Sequence, residues 1–221
     1  MLIVIPAKGD SSGLKEKNLQ LLGGKTLVQH AVEFSRALCL QCVVTTDSQK
    51  VADSLPLGCQ FIISNVHGPS TLAVDVWSDA LVKTEYQGDY AAYLEPTSPL
   101  RTRHDFESCV KALEDKWYRA AATVSKAPYI DKLFHIDAIE QYRVCAPSSP
   151  DSLKNRPRQK LRETFQRNGA VYMAKTIHVL GGMMMDCRCY PVISDGPRPN
   201  IDSQDDLDYA EYLWERRSKS L

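Results

Sequence analysis

The sequence lacks long hydrophobic runs and an excess of charge of either sign. Its first apolar run covers only residues 2–5 before Pro6, which is far too short for a secretory signal or a membrane span. Lysine plus arginine equals aspartate plus glutamate at 27 residues each, so net charge gives no reason to expect a nucleic-acid or membrane partner. We therefore expect a cytoplasmic protein with no nucleic-acid partner and no membrane association.

The cysteines do not suggest a disulfide framework. Their number, seven, is odd, and no secretory signal accompanies them, so we expect reduced thiols. The spacings of Cys39 with Cys42 and of Cys187 with Cys189 are typical of metal or redox sites. Because both pairs lie in apolar surroundings without a matching second pair, we predict buried thiols instead.

Two common nucleotide-binding fingerprints are missing. No G-x-G-x-x-G follows the first apolar run, and the chain has no G-x-x-x-x-G-K-[ST]. Residues 5–18 read IPAKGDSSGLKEKN instead. Small residues let backbone N–H groups reach an anion, so this composition fits a phosphate site and an ordinary solvated turn about equally well.

Short β-rich runs alternate with helical repeats along much of the chain. Residues 26–38, for example, repeat apolar side chains at helical spacing, as at Leu27 and Ala31. The predicted strands are residues 2–5, 42–45, 60–63, 90–94, 170–174 and 190–193, and the predicted helices are residues 26–38, 75–86, 103–115 and 205–217, with a short helix after Asp47.

This alternation predicts an open α/β fold, with a mostly parallel sheet covered by helices on both faces. In such a sheet ligands bind beyond the carboxyl ends of the strands, so the loops that open at Pro6, Thr46 and Pro96 should share one rim. Three separate polar loops thereby form one candidate site. The last helix is expected to begin at Ser203, with Asp206 completing a capping box.

The alternation breaks after Ser125. Residues 133–136 and 142–146 have the pattern of a hairpin or an irregular arm, and a stretch rich in proline and arginine follows. We interpret residues 127–167, approximately, as an insertion within a single domain of residues 1–221. The basic run in this insertion is too short and too poor in aromatic residues to indicate RNA binding.

Six segments in the same order resemble the cytidylyltransferases that make CMP-activated acidic sugars, the CMP-sialic acid synthetase family. IPAKGDSSGLKEKN is similar to the family's opening IPARGGSKGIPRKN. The resemblance implies a Rossmann-like nucleotidyltransferase sheet with a small inserted dimerisation arm. The other segments are VVTTDS (43–48), GPSTLAVD (68–75), YLEPTSPLR (93–101), RQ with NGAVY (158–159 and 168–172) and NIDSQDDLDYAE (200–211).

The resemblance implies a reaction and its partners. It implies an Mg²⁺-dependent enzyme that joins CTP to an acidic 2-keto-3-deoxy sugar, of the sialic, legionaminic or pseudaminic type, giving a CMP-sugar and pyrophosphate for surface polysaccharide. It also implies a homodimer whose arm reaches the neighbouring subunit. Two alternatives stay open: a cytidylyltransferase for the eight-carbon 3-deoxy-manno-octulosonate, and a non-catalytic relative that binds a nucleotide without turnover.

The chemistry of this reaction indicates which residues should form the site. Positioning and charge stabilisation dominate phosphoryl chemistry, so Lys8 and Lys17 should contact the phosphates. Mg²⁺ takes one or two protein carboxylates, and Asp202 is the first choice. The alternative is that Asp202, with Asp205 and Asp206, only complements a helix N-terminus.

The resemblance extends the site residue by residue. The arginine fork suits a sugar carboxylate, which implies Arg101 and Arg158 as its ligands. The complete prediction is catalytic Lys8, Lys17 and Asp202; nucleotide-binding Ala7, Lys8, Gly9, Ser11, Gly13, Lys17, Asn18 and Asp75; substrate-binding Glu95, Thr97, Ser98, Arg101, Arg158, Gln159 and Asn168; and metal-binding Asp202.

Several positions depart from the family pattern. Loss of cations weakens a phosphate site, because charge-assisted hydrogen bonds are the stronger class. Glu95 could meet an amino or amidino group on the sugar, or join Asp202 on the metal. His67 and His104 are expected at the surface without a role. The departures are Lys8 for Arg, Ser12 for Lys, Glu16 for Arg, Gly68 for Arg, Glu95 for Gln and Asn200 for Asp.

Overall fold

The computed structural model describes residues 1–10, 13–68, 70–128, 134–139, 142–147, 157, 161 and 163–218. The strands are β1 Leu2–Pro6, β2 Leu21–Leu22, β3 Lys25–Thr26, β4 Gln41–Thr46, β5 Gln60–Ile63, β6 Tyr90–Tyr93, β7 Ala120–Ala127, β8 Phe134–Ile139, β9 Tyr142–Pro147, β10 Thr164–Lys175 and β11 Cys189–Ile193. The helices are α1 Leu27–Ala37, α2 Gln49–Asp53, α3 Ala73–Lys83, α4 Arg103–Ala112, α5 Thr176–Leu180 and α6 Gln204–Ser218, with a 3₁₀ turn at Lys17–Leu19.

Seven strands form one mixed sheet, in the order β11-β7-β10-β6-β1-β4-β5. β1 pairs in parallel with β4 and β6, β4 with β5, and β7 with β11. The mostly parallel sheet is therefore confirmed. β10 runs antiparallel between β6 and β7. It is longer than the predicted 170–174 because residues 165–167 are exposed and only Phe165 among them is apolar, so they lack the pattern of a buried strand.

Alternation along β1 explains why both faces of the sheet are covered. Ile3 and Ile5 point into a core shared with α1 and α4. Leu2 and Val4 point to the opposite face, where they meet Trp77 and the rest of α3. This arrangement confirms the prediction of helices on both faces, and it leaves the carboxyl ends of the strands free to carry loops.

The predicted capping box of the last helix is confirmed. The Asp206 N–H donates to Ser203 Oγ over 3.3 Å, and the Ser203 N–H donates to Asp206 Oδ2 over 2.9 Å. Thr26 forms the same motif with Gln29 at the start of α1. Such caps satisfy backbone donors that have no partner within the helix, so the two helices begin at defined residues.

Both ends of the predicted insertion belong to strands of the main sheet. Ala127 of β7 pairs with Thr164 of β10, so residues 164–167, which were predicted as part of the arm, belong to the sheet. β8 and β9 pair with each other as an antiparallel hairpin. Across the part of the chain that the structure describes, no helix has the length and apolar content needed to cross a membrane.

The cysteines whose side chains the structure describes are free thiols, but those of the two predicted pairs are not all buried as predicted. Cys39 and Cys187 are exposed, whereas Cys42 and Cys189 are partly buried. Cys39 lies in the turn after α1 with φ +57°. The prediction of burial is therefore wrong for one thiol of each pair.

Candidate functional site

A cleft of about 250 Å³ opens at the carboxyl ends of the parallel strands. The loops that follow β1, β5 and β6 form its walls, as expected for a parallel sheet. Lys8, Lys17, Asn18, Glu95 and Thr97 are the predicted site residues that line it. The lining also includes Pro6, His67, Gly68, Thr71, Ala73, Val76, Tyr93 and Pro96.

Contacts to the end of β4 anchor the loop after β1. The Ala7 N–H donates to the Thr45 carbonyl over 2.8 Å, and the Gly9 N–H donates to Asp47 Oδ1 over 2.7 Å. A Cβ at Gly9 would lie 2.3 Å from Ser48 Cβ, so only glycine fits there. The predicted phosphate donor Gly9 thus has a carboxylate partner, and a phosphate would have to replace Asp47 at its N–H.

The far end of the same loop packs against Asp202. The Leu14 N–H donates to the Asp202 carbonyl over 3.2 Å. A Cβ at Gly13 would lie 2.4 Å from that carbonyl oxygen, which is backbone and cannot rotate away. Gly13 therefore allows the loop to approach the segment before α6, because it has no side chain that would collide with the backbone there.

Lys17 and Asp202 meet beside the cleft. Lys17 Nζ lies 2.6 Å from Asp202 Oδ1, with 20% of the lysine side chain and 64% of the aspartate side chain exposed. Asp202 Oδ2 accepts a 3.4 Å hydrogen bond from Asn200 Nδ2. The predicted phosphate ligand and the predicted metal ligand are thus in contact, although 185 residues separate them in the chain.

Asn18 is buried and supports Lys8. Its Nδ2 donates to the Lys8 carbonyl over 2.7 Å. Its buried Oδ1 has no hydrogen bond to the described part of the chain. This arrangement fixes the backbone from which the Lys8 side chain extends, and it leaves one amide oxygen able to accept a bond in the cleft.

His67 is buried in the cleft wall, so the prediction of a surface residue is wrong for it. Its Nε2 lies 3.0 Å from Thr45 Oγ1, and burial lowers its pKa, opposed by the charges of Asp47 and Asp79. His104 is exposed, as predicted. His67 was missed because its only sequence signal is its position before Gly68.

Asp75 does not line the cleft. It lies in the first turn of α3 with an exposed side chain. A carboxylate in a first turn favours the helix electrostatically. The position of Asp75 therefore gives no geometric support to its predicted role in nucleotide binding.

Glu95 follows β6 and carries a partly buried carboxyl group. Burial raises its pKa to about 7, and the charge of Asp202 acts in the same direction, whereas Arg101, Lys17 and Arg167 oppose the shift. Among the described residues that were predicted to bind the substrate and that line the cleft, Glu95 is therefore the one with a pKa near neutrality.

Arg101 is buried behind this wall. Its Nε donates to the Ala170 carbonyl over 2.8 Å, and its Nη2 donates to the Glu95 carbonyl. The guanidinium also lies 5.7 Å from the centre of the Phe34 ring. The predicted contact with a sugar carboxylate has no support from this position, because the arginine holds the backbone of the cleft wall to β10.

Ser98 and Asn168 are also occupied by interior hydrogen bonds. Ser98 Oγ donates to the Asn168 carbonyl over 2.7 Å. Asn168 Oδ1 accepts from Thr123 Oγ1 over 2.6 Å, and its Nδ2 donates to Ser125 Oγ and Ser194 Oγ. Both residues hold the rim together, so their predicted substrate contacts are not supported by the geometry.

Three predicted residues, Ser11, Arg158 and Gln159, lie outside the described residues, as does the altered position Ser12. Asp47 and Arg167 were missed as site residues. Asp47 lies within the VVTTDS segment, so that motif carried a signal for it. Arg167 precedes Asn168 and is exposed beside Glu95, whose pKa it lowers.

Comparison with known proteins identifies relatives of the whole chain. A family model described as cytidylyltransferase matches residues 2–129. The CMP-N,N'-diacetyllegionaminic acid synthase of Legionella pneumophila is 26% identical over 234 aligned positions, which cover 100% of this chain and 99% of that protein. An N-acylneuraminate cytidylyltransferase of Escherichia coli O18:K1:H7 is 28% identical over 193 positions, which cover 81% of this chain and 43% of that protein.

Solved structures share the fold. A CMP:2-keto-3-deoxy-manno-octonic acid synthetase complexed with CTP superimposes with a TM-score of 0.69 at 18% identity, covering 98% of both chains. A 4-diphosphocytidyl-2C-methyl-D-erythritol synthase from Anaerococcus prevotii gives a TM-score of 0.62 at 13% identity, covering 97% of this chain and 98% of that one. The family model spans more than half of the 221 residues. This chain therefore belongs to the cytidylyltransferase family.

Proposed function

We propose that the protein transfers a cytidylyl group from CTP to an acidic 2-keto-3-deoxy sugar of the nonulosonic type, giving a CMP-sugar and pyrophosphate. The observation that carries this proposal is the contact of Lys17 with Asp202 beside the cleft. It brings a cation for phosphate and a carboxylate for a metal to one point. The relatives named for legionaminic acid and N-acylneuraminate support the choice of sugar.

The reaction is an in-line displacement at the α-phosphorus of CTP. A sugar hydroxyl oxygen forms the new bond to the α-phosphorus, the bond from that phosphorus to the oxygen bridging to the β-phosphate breaks, and pyrophosphate leaves with the electron pair. The hydroxyl proton passes to water. Such chemistry depends on positioning and on stabilisation of phosphate charge. Lys8 and Lys17 are the described cations that line the cleft, so we assign the triphosphate to them.

Asp202 fits the magnesium ion that this reaction needs. The described residues contain no cluster of three or more metal-ligating side chains. Magnesium ordinarily takes one or two carboxylates and completes its shell with water and phosphate oxygens, so an exposed Asp202 is sufficient. When bound, the ion would neutralise charge on the triphosphate. Lys17 would then share Asp202 with it.

The strand order distinguishes the two ends of the cleft. His67 and Gly68 follow β5, at one side of the loop after β1, whereas Glu95 follows β6 on the other side and faces β10. With the triphosphate at Lys8 and Lys17 between them, we assign the nucleoside to the β5 side, because the family resemblance implies that the segment around Gly68 lies near the base. The acceptor sugar is then assigned to the side of Glu95.

We also propose a cytoplasmic homodimer whose inserted arm completes the site of the partner.

Two alternative functions stay open. An eight-carbon 3-deoxy-manno-octulosonate is the second candidate acceptor, because a synthetase named for 2-keto-3-deoxy-manno-octonic acid shares the fold. Nucleotide binding without turnover is the other alternative, favoured by the Gly9 N–H that already bonds Asp47.

Pyrophosphate release tests the proposal directly. The protein is incubated with CTP, UTP, ATP or GTP, with and without Mg²⁺, and with N-acetylneuraminic acid, N,N'-diacetyllegionaminic acid or 3-deoxy-manno-octulosonate. We expect release with CTP and Mg²⁺ and with a nine-carbon acid. Release with the eight-carbon acid alone would favour the second candidate, and no release from any combination would contradict the proposal.

Asp202→Asn separates the metal role from a structural one. Because Asp202 is exposed, loss of its ion pair with Lys17 should cost less than about 1 kcal/mol of stability. We expect the rate to fall by about 100-fold or more while the melting temperature is nearly unchanged. Asp205→Asn is the matched control, since Asp205 lies exposed in the first turn of α6. Equal activity of both variants would remove Asp202 from the metal site.

A further inference from the structure

The carboxylate of Glu95 forms no ion pair within the described part of the chain, although the charges of Arg101, Lys17 and Arg167 act on it. Glu95 lines the cleft. The described ion pairs include Lys17 with Asp202, but none with Glu95. Arg101, the buried cation behind it, bonds the Glu95 backbone carbonyl and the Ala170 carbonyl with its Nη2 and Nε. The side-chain carboxylate is therefore left facing the cleft.

The charges that act on Glu95 belong to three parts of the site. Lys17 and Asp202 form the ion pair beside the cleft, Arg101 is buried, and Arg167 is exposed on β10. Their net effect does not overcome burial, which keeps the pKa of Glu95 near 7. A ligand that carries a cation would stabilise the ionised form of such a partly buried carboxylate, because the protein's own cations do not compensate for its burial.

Gly169 provides the space in which this carboxylate lies. A Cβ on residue 169 would be 2.3 Å from Glu95 Oε2 and 2.6 Å from Ser98 Oγ, and the residue has φ +72°, which favours glycine. β10 therefore approaches the acid closely. The acid is held at the β10 side of the cleft, where we place the acceptor sugar.

We propose that Glu95 is a specificity-determining residue that selects acceptor sugars carrying a protonated nitrogen, as an amino or amidino substituent, over sugars with a neutral acetamido group. This inference rests on the proposed function. A cationic nitrogen satisfies the carboxylate with a charge-assisted hydrogen bond. A neutral acetamido group donates one hydrogen bond and leaves the negative charge uncompensated.

The other groups of the substrates fit Glu95 less well. Phosphate and sugar carboxylate are anions and would be repelled by it. The nucleobase lies on the β5 side of the loop after β1 in the proposed orientation, away from β10. The hydroxyl groups and the nitrogen substituent of the sugar are the remaining donors on the β10 side, and of these only the nitrogen can carry a positive charge.

The test uses one nonulosonic acid prepared with either an acetamido or an acetamidino group at the same carbon. We compare kcat/KM for both sugars, with CTP and Mg²⁺, in wild type, Glu95→Gln and Glu107→Gln. Glutamine has the shape of glutamate and clears Gly169 equally well, but it carries no charge. Glu107 is an exposed glutamate of α4 and serves as the matched control.

We expect wild type and Glu107→Gln to prefer the acetamidino sugar by about tenfold or more, and Glu95→Gln to lose that preference. An equal preference in all three proteins would overturn the inference and leave the proposed function standing. An equal loss of activity with both sugars, accompanied by a higher Mg²⁺ requirement, would also overturn it and make Glu95 a metal ligand. Pyrophosphate release with neither sugar in any protein would overturn the proposed function and this inference together.

Discussion

The carboxyl group of Glu95 links the charge of the site to the stability of the protein. Burial raises its pKa from the ordinary 4.5 to about 7. Between these two values the folded protein binds the proton more tightly than the unfolded chain does. The contribution of Glu95 to the free energy of unfolding therefore falls as pH rises from about 4.5 to about 7.

Glu95→Gln should remove this pH dependence. Because glutamine cannot ionise, we expect the variant to be more stable than wild type by roughly 2–3 kcal/mol at pH 8, with the difference vanishing near pH 4. Denaturant unfolding at both pH values measures it. Glu107→Gln, on the exposed face of α4, should show no such change. A difference that is the same at both pH values would contradict the account.

Gly169 is the second residue whose role follows from local geometry. We expect Gly169→Ala to lose about 2–4 kcal/mol of stability, because the new methyl group meets Glu95 and Ser98 in addition to the strain of a positive φ. Gly182 has φ +78° with nothing within 4 Å of a Cβ, so Gly182→Ala carries the strain alone. Thermal unfolding of both variants isolates the clash. Equal losses of stability in the two variants would contradict this account, because they would show that Glu95 and Ser98 move away from the new methyl group at little cost.

At the scale of secondary structure, a buried ion pair fastens α4 to the segment before α6. Arg198 Nε lies 2.8 Å from Asp105 Oδ2, and the two side chains are 2% and 1% exposed. Burial opposes ionisation of Asp105, but bonds from Arg198 and Thr102 more than offset it, so its pKa lies below the usual value. This segment continues into Asp202, so the pair supports the site from behind.

Arg198→Met should destabilise the protein by about 3–5 kcal/mol, because it leaves the Asp105 carboxylate buried without its counter-ion. The free energy of unfolding from denaturant titration measures the loss. Arg103→Met is the control, since Arg103 is exposed and its two contacts, an ion pair with Glu107 and a hydrogen bond to the Ala37 carbonyl, both lie at the surface. We expect this variant to change stability by only about 1 kcal/mol. Similar losses in the two variants would show that the Arg198 pair contributes no more than a surface pair.

At the scale of the whole molecule, the sequence predicted the sheet and the rim well. Of the strands with a parallel neighbour, β1, β4, β5, β6 and β11 were each located from a short apolar run such as 2–5 or 60–63. β7 was not predicted, because its three opening alanines and its Ser-Lys-Ala end have weak strand character. The rule that loops share the carboxyl edge then brought the segments after Pro6 and Pro96 together correctly. These features depend on neighbouring residues and on general topology.

The roles of individual polar side chains were predicted less well, because their partners lie far away in the chain. Arg101 bonds the carbonyl of Ala170, 69 residues later, and becomes a support for the wall. Asn168 bonds Thr123, and His67 bonds Thr45. The neighbouring sequence does not reveal such distant partners. A polar side chain bonded in the interior therefore could not be distinguished from one that lines the cleft.

The central claim is that the cleft beside Lys17 and Asp202 binds CTP with magnesium. Calorimetric titration of CTP, UTP, ATP and GTP into the protein, with and without Mg²⁺, tests it most directly. The account predicts that CTP binds more tightly than the other three nucleotides, that Mg²⁺ strengthens its binding, and that Lys17→Ala weakens it by about tenfold or more. Absence of CTP binding, or equal binding of all four nucleotides, would contradict it.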